Sequence, residues 1–161
     1  MHPRAEELIQ WLHLQPHPEG GHFAEVFRSR RQVRAEDAAG ERSALTTIYF
    51  LLASGEISRW HRLDADETWH FYEGEPLDLL LLDSKARILS RVCLGPAAPG
   101  SALVHAVPAG SWLAARQAGA YALVGCSVAP GFEVSGFRLM KDEPAVAAEV
   151  ARRFPEAAEL I

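Results

Sequence analysis

Between residues 44 and 139 the chain breaks into short apolar runs, each closed by glycine, proline or aspartate. The runs fall at 44–52, 67–72, 77–82, 86–94, 103–107, 111–115, 121–128 and 136–139. Breaks such as Glu73-Gly-Glu-Pro76, Gly95-Pro96, Pro108-Ala-Gly110 and Pro130-Gly131 separate them. The first run contains Thr46, Thr47, Ile48, Tyr49 and Phe50, side chains that suit a pleated surface. Many short strands with regular turn signals predict an all-β sandwich or barrel and argue against alternating strands and helices. The ends read differently. Residues 3–14 carry Leu8, Trp11 and Leu12 at helical spacing, and that helix should stop before Pro16. Asp142-Glu-Pro144 reads as a second helix start, with Val146, Val150 and Phe154 following at helical spacing to about residue 154.

The 161 residues suit one domain with a real core, a barrel at about 19–140 between two helices. No segment approaches the roughly 20 apolar residues that span a bilayer, and the opening residues lack a signal-peptide run, so a cytoplasmic location is expected with no membrane partner. A net charge of −5 argues against nucleic acid as a partner. The cluster Arg28, Arg30, Arg31 and Arg34 reads as a solvated hairpin or loop edge. Cys93 and Cys126 match no paired zinc or redox spacing and read as reduced thiols.

Within residues 55–74 the spacing is Gly55, five residues, His61, one residue, Leu63, three residues, Glu67, six residues, Gly74. This resembles the first motif of the cupin superfamily, with leucine in place of the second histidine. Further blocks narrow the resemblance to the cupin-5 branch: Pro16-His-Pro-Glu19-Gly20-Gly21-His-Phe-Ala-Glu25, Asp66-Glu67-Thr-Trp69-His-Phe71-Tyr-Glu-Gly74, Val107-Pro-Ala-Gly110-Ser-Trp112, and Leu123-Val-Gly-Cys126-Ser-Val-Ala-Pro-Gly-Phe132. The resemblance implies a double-stranded β-helix, or jelly roll, that forms a homodimer and binds small molecules inside the barrel. It also implies similarity to deoxysugar epimerases that work without metal. The last ligand position of the second cupin motif falls on Leu113. Two of four metal-ligand positions are therefore leucine, so no cofactor is expected. His61 and Glu67, with His105 as the one further candidate, are the only set for a divalent transition metal.

By period-two alternation, His61 shares a face with Leu63, and Glu67 with Trp69 and Phe71. His61 and Glu67 are the candidate catalytic pair, a histidine base oriented by a carboxylate and acting on a sugar-like or carbonyl substrate. Glu19, Arg28, Tyr49, Trp69, Phe71 and His105 are the candidate ligand-binding residues, with Tyr49 or Tyr72 as the acid. The expected function is a small-molecule pocket of a metal-independent isomerase or epimerase. A metal-dependent cupin with a reduced ligand set and a non-catalytic binding protein are the rivals.

Overall fold

The computed structural model describes residues 1–35 and 40–161. In chain order the elements are α1 (Pro3–Trp11), β1 (Gln15–Pro16), β2 (His22–Arg28), β3 (Gln32–Arg34), β4 (Glu41–Ser43), β5 (Thr46–Ala53) and β6 (Ile57–Leu63). There follow β7 (Asp66–Gly74), β8 (Leu77–Leu82), β9 (Leu89–Leu94), β10 (Val104–Val107), β11 (Trp112–Gln117), β12 (Tyr121–Ala129), β13 (Phe137–Leu139) and α2 (Pro144–Arg153).

Two antiparallel sheets face one another. One has the order β1-β2-β5-β12-β7-β10 and the other β13-β6-β11-β8-β9, while β3 and β4 form a separate hairpin. This is the β-barrel that the strand pattern predicts, in the double-stranded β-helix form that the resemblance implies. In β5, alternation sends Phe50 and Leu52 inward and Tyr49 and Leu51 outward. Trp69, Leu77, Leu79, Val107, Leu113 and Val124 join the inward set to fill one half of the space between the sheets. The arginines at 28, 30, 31 and 34 are exposed, as a solvated hairpin edge requires.

The helices cover outer faces. α1 lays Ala5 and Leu8 on Leu51, Ala53 and Leu123 of the first sheet. It ends at Trp11, earlier than Pro16 demands, because His13 takes a left-handed φ of 54°. The Leu14 N–H then donates to the Ile9 carbonyl at 2.9 Å and the His13 N–H to Gln10 at 3.3 Å, the paired bonds of a Schellman ending. α2 starts at Pro144 and packs Val150 with Trp60, Trp112 and Met140 on the outside of the second sheet. Trp60 Nε1 donates to the Ala157 carbonyl there at 2.9 Å. Trp60 and Trp112 are therefore core residues.

One irregularity positions the site. The pairing of β6 with β11 steps from Leu113↔His61 to Ala115↔Ser58, so Arg59 and Trp60 stand opposite Ala114 alone. This bulge lets Ser58 and His61, three apart, both turn inward while Trp60 turns out.

Candidate functional site

The half of the barrel not filled by core holds a cavity of about 190 Å³. Its walls are mainly apolar, with Phe23, Ile48, Phe50, Leu63, Val128 and Phe137 prominent. Its deep polar end is built from His17, Glu19, His61, Glu67 and Cys126.

The loop between β1 and β2 delivers His17 and Glu19 into the barrel. Gly20 has φ of 115°, and a β-carbon there would collide with the Ile57 carbonyl oxygen, so only glycine lets the loop lie against β6. The Arg59 N–H donates to the Glu19 carbonyl at 2.8 Å and fastens it. The Glu19 side chain accepts from Ser58 Oγ at 2.7 Å and lies 3.4 Å from His61 Nδ1. His61 Nδ1 is also 2.7 Å from the Arg59 carbonyl, an acceptor only, so this nitrogen carries the proton. Nε2 is thereby the working nitrogen, 3.9 Å from Glu67, an ion-pair rather than hydrogen-bond distance. Glu67 is 8% exposed, and no donor among the described residues hydrogen-bonds to it.

These contacts set the protonation states. Burial alone would lower the His61 pKa, but Glu19 and then Glu67 outweigh it and push the value up to about 9. His61 is thus an imidazolium at neutral pH, a proton donor rather than the base that an unperturbed histidine suggests. Burial raises the Glu19 pKa, with His61 opposing. Burial and then the His61 charge lower His17 to about 4, leaving it neutral. Its Nδ1 accepts the Glu19 N–H at 3.2 Å, which puts the ring proton on Nε2. Burial raises the Cys126 thiol well above its usual pKa, so it is not a nucleophilic thiolate.

At the mouth stand Glu25, Arg28 and Glu133. Arg28 donates to both Glu25 carboxylate oxygens, at 3.0 and 2.9 Å, and to the Phe132 carbonyl at 3.2 Å. Its guanidinium is committed to the protein and does not stand free for a ligand.

Four expected ligand-binding residues lie elsewhere. Trp69 shares the Glu67 face, but Phe50 stands against it at 5.6 Å between ring centroids, and both belong to the packed core. Phe71 packs against the same core, beyond the cavity. Tyr49 points out of the barrel and meets Tyr72 edge to face, so neither tyrosine supplies an acid to the cavity. His105 sits on strand β10 at the sheet edge, opposite Trp69, and does not line the cavity. Glu19, Arg28, His61 and Glu67 do line it. The sequence reading missed His17, Ser58, Glu25 and Glu133. Alternation gave no signal for Ser58, because the bulge breaks the period, and His17 was visible only as part of the His-Pro-Glu-Gly-Gly block.

A cupin metal would need ligands at 61, 63, 67 and 113. Leu63 lines the cavity and Leu113 lies buried in the core beside His61, and neither side chain can coordinate. Among the described residues no group of three or more His, Cys, Asp or Glu side chains is arranged to hold a metal ion. The donor set does not fit one.

The family model described as "Cupin superfamily (DUF985)" matches residues 6–140. The chain belongs to this family. A hypothetical protein from Leishmania major is similar over 98% of this chain and 96% of its own, at 34% identity and a TM-score of 0.83. A Shewanella oneidensis protein matches over 97% and 95% at 32% identity and a TM-score of 0.83. A Bacillus subtilis oxalate decarboxylase mutant shares the fold at 18% identity and a TM-score of 0.56, over 91% of this cupin and 37% of the decarboxylase. No curated protein matches the chain. Among the described residues no helix of this cupin is long and apolar enough to cross a membrane.

Proposed function

We propose that this cupin binds a small organic molecule in its barrel and moves a proton at a carbon next to a carbonyl, as a metal-independent isomerase or epimerase does. The observation that carries the reading is the Glu67 carboxylate, at ion-pair distance from the His61 imidazolium and without a hydrogen-bond donor among the described residues, inside a largely apolar cavity. Glu67 is the base and takes the proton from carbon. His61 Nε2–H donates to the carbonyl oxygen, where negative charge develops. Glu19 and the Arg59 carbonyl hold the ring and keep its proton on. The mainly apolar walls exclude water and strengthen both interactions. His17, neutral with its proton on Nε2, adds a donor on the adjoining wall.

A second reading is binding without turnover. It is favoured by the closeness with which Glu19, Ser58 and His61 satisfy one another.

The test is deuterium incorporation from D₂O at the α-carbon of a panel of small aldoses, ketoses and keto compounds, followed by proton NMR. Wild-type protein should accelerate exchange for at least one compound. Glu67→Gln and His61→Gln should each lower that rate about 100-fold or more. The combined variant should be little worse than either alone, since the two act as one unit. Binding without exchange supports the second reading. Exchange that both variants retain rules out the proposed roles.

A further inference from the structure

The charge and walls of the cavity specify what fits it. Among the described residues four carboxylates line it: Glu19 and Glu67 deep inside, Glu25 and Glu133 at the mouth. Among the described residues only His61 and Arg28 oppose them, since His17 is held neutral. Even with Glu19 left out of the count, three carboxylates face two cations. Arg28, the one cation at the mouth among the described residues, is doubly bonded to Glu25, and it lies 3.6 Å from Glu133. An incoming anion therefore meets carboxylates and, among the described residues, no free cation at the entrance.

Two further observations point to an occupant. Glu67 is more than nine-tenths buried, lines the cavity and has no hydrogen-bond donor among the described residues. The rings of Phe23, Phe50, Phe132 and Phe137 form much of the wall, and aromatic walls attract cations through their ring quadrupoles.

We infer that the molecule this cavity takes carries an ammonium group on a compact apolar body, with the cation at the mouth among Glu25, Glu133 and the phenylalanine rings. Its inner end reaches Glu67 and His61. This rests on the reading that the cavity is a ligand site, and it names the class of ligand. Under the proposed proton transfer, the substrate is an amino-carbonyl compound or an amino sugar rather than a carboxylate.

The experiment compares benzylamine, benzyltrimethylammonium, benzyl alcohol and benzoate, which share a ring and differ in charge. Affinities are measured by calorimetry and ligand-observed NMR at pH 7 and low salt. The two cations should bind about 10-fold or more tightly than the alcohol, and benzoate most weakly. Added salt should narrow the gap, because the mouth carboxylates are half-exposed. Glu133→Gln should cut the cation preference several-fold. Glu25→Gln should cut it too, and by freeing Arg28 should let benzoate bind. Both residues are exposed, and an unchanged melting temperature checks that the fold survives. If benzyl alcohol or benzoate binds as tightly as the cations, the inference fails and the small-molecule reading stands. If none of the four binds at millimolar concentration, both fail.

Discussion

Raising the pH from 6.5 to 9 should weaken this protein through a single buried side chain. His61 has a pKa pushed from 6.5 up to about 9 by Glu19 and Glu67 against the cost of burial. A group whose pKa is raised on folding stabilises the fold fully below its unfolded pKa, and that contribution vanishes as the pH rises through its folded pKa. At 1.36 kcal/mol per unit, the loss between pH 6.5 and 9 is about 3 kcal/mol. For a chain of this size that corresponds to a fall in melting temperature of about 6–12 °C. The charged and titratable neighbours are Glu19, Glu67, His17 and Cys126. Burial raises the Glu19 pKa and lowers that of His17, so the two respond to pH in opposite directions. The raised Cys126 thiol adds to the loss only near and above pH 9, where the unfolded thiol ionises. The His61 share of the window from 6.5 to about 9 is the part that disappears with the ring. Urea denaturation every half unit across it, for wild type and His61→Gln, isolates the contribution by difference, and a ring-nitrogen NMR titration reads the pKa itself. If the ring titrates at or below 6.5, or both proteins lose stability in parallel, the account of the cluster is wrong.

Glu19→Gln keeps the shape but removes the largest influence raising the His61 pKa, so the ring should titrate lower by one unit or more in the same NMR experiment. Gly20→Ala forces a β-carbon onto the Ile57 carbonyl from a left-handed backbone, and should cost 2 kcal/mol or more in urea unfolding. Leu113→Ala should cost about 2–5 kcal/mol, as expected for a fully buried leucine, and a loss below 1 kcal/mol would contradict its place in the core. Protein purified without an affinity tag should carry well under one transition metal per chain by elemental analysis, and chelator should leave its melting temperature unchanged. Tyr72, Val104, Val26 and Phe27 are exposed, and Tyr72 and Val104 adjoin His70 on the outward side of the first sheet. That face should pair two copies. Val104→Asp should then shift sedimentation from dimer to monomer at micromolar concentration.

The strand pattern carried the fold because each element of the barrel is short, alternating and closed by its own turn residues. The ends of α1 were less legible. Pro16 marks the latest residue at which the helix can stop, whereas the actual stop is a left-handed His13, a conformation that nothing in the side chain demands. In the site, alternation correctly put His61, Leu63, Glu67 and Trp69 inside the barrel. Alternation fixes a face and not a depth, which is why Trp69 and Phe71 share Glu67's face and still lie in packed core. His105 lies away from the cavity for a related reason, since β10 carries it to the edge of the sheet. Protonation was the least visible property. The sequence shows one histidine near one glutamate, while the fold brings a second carboxylate, Glu19, from a loop 42 residues away along the chain. That contact turns His61 from a base into an acid.

If the cavity around His61 and Glu67 is the working site, a bound molecule must touch its lining. Methyl and aromatic NMR of labelled protein, titrated with a fragment library that includes the benzyl series, tests it most directly. Bound fragments should move the signals of Ile48, Leu63, Val128 and the His61 ring, and leave Tyr49, Tyr72 and His105 in place. Fragments that shift the outer tyrosines or His105 while the cavity signals stay still would contradict it.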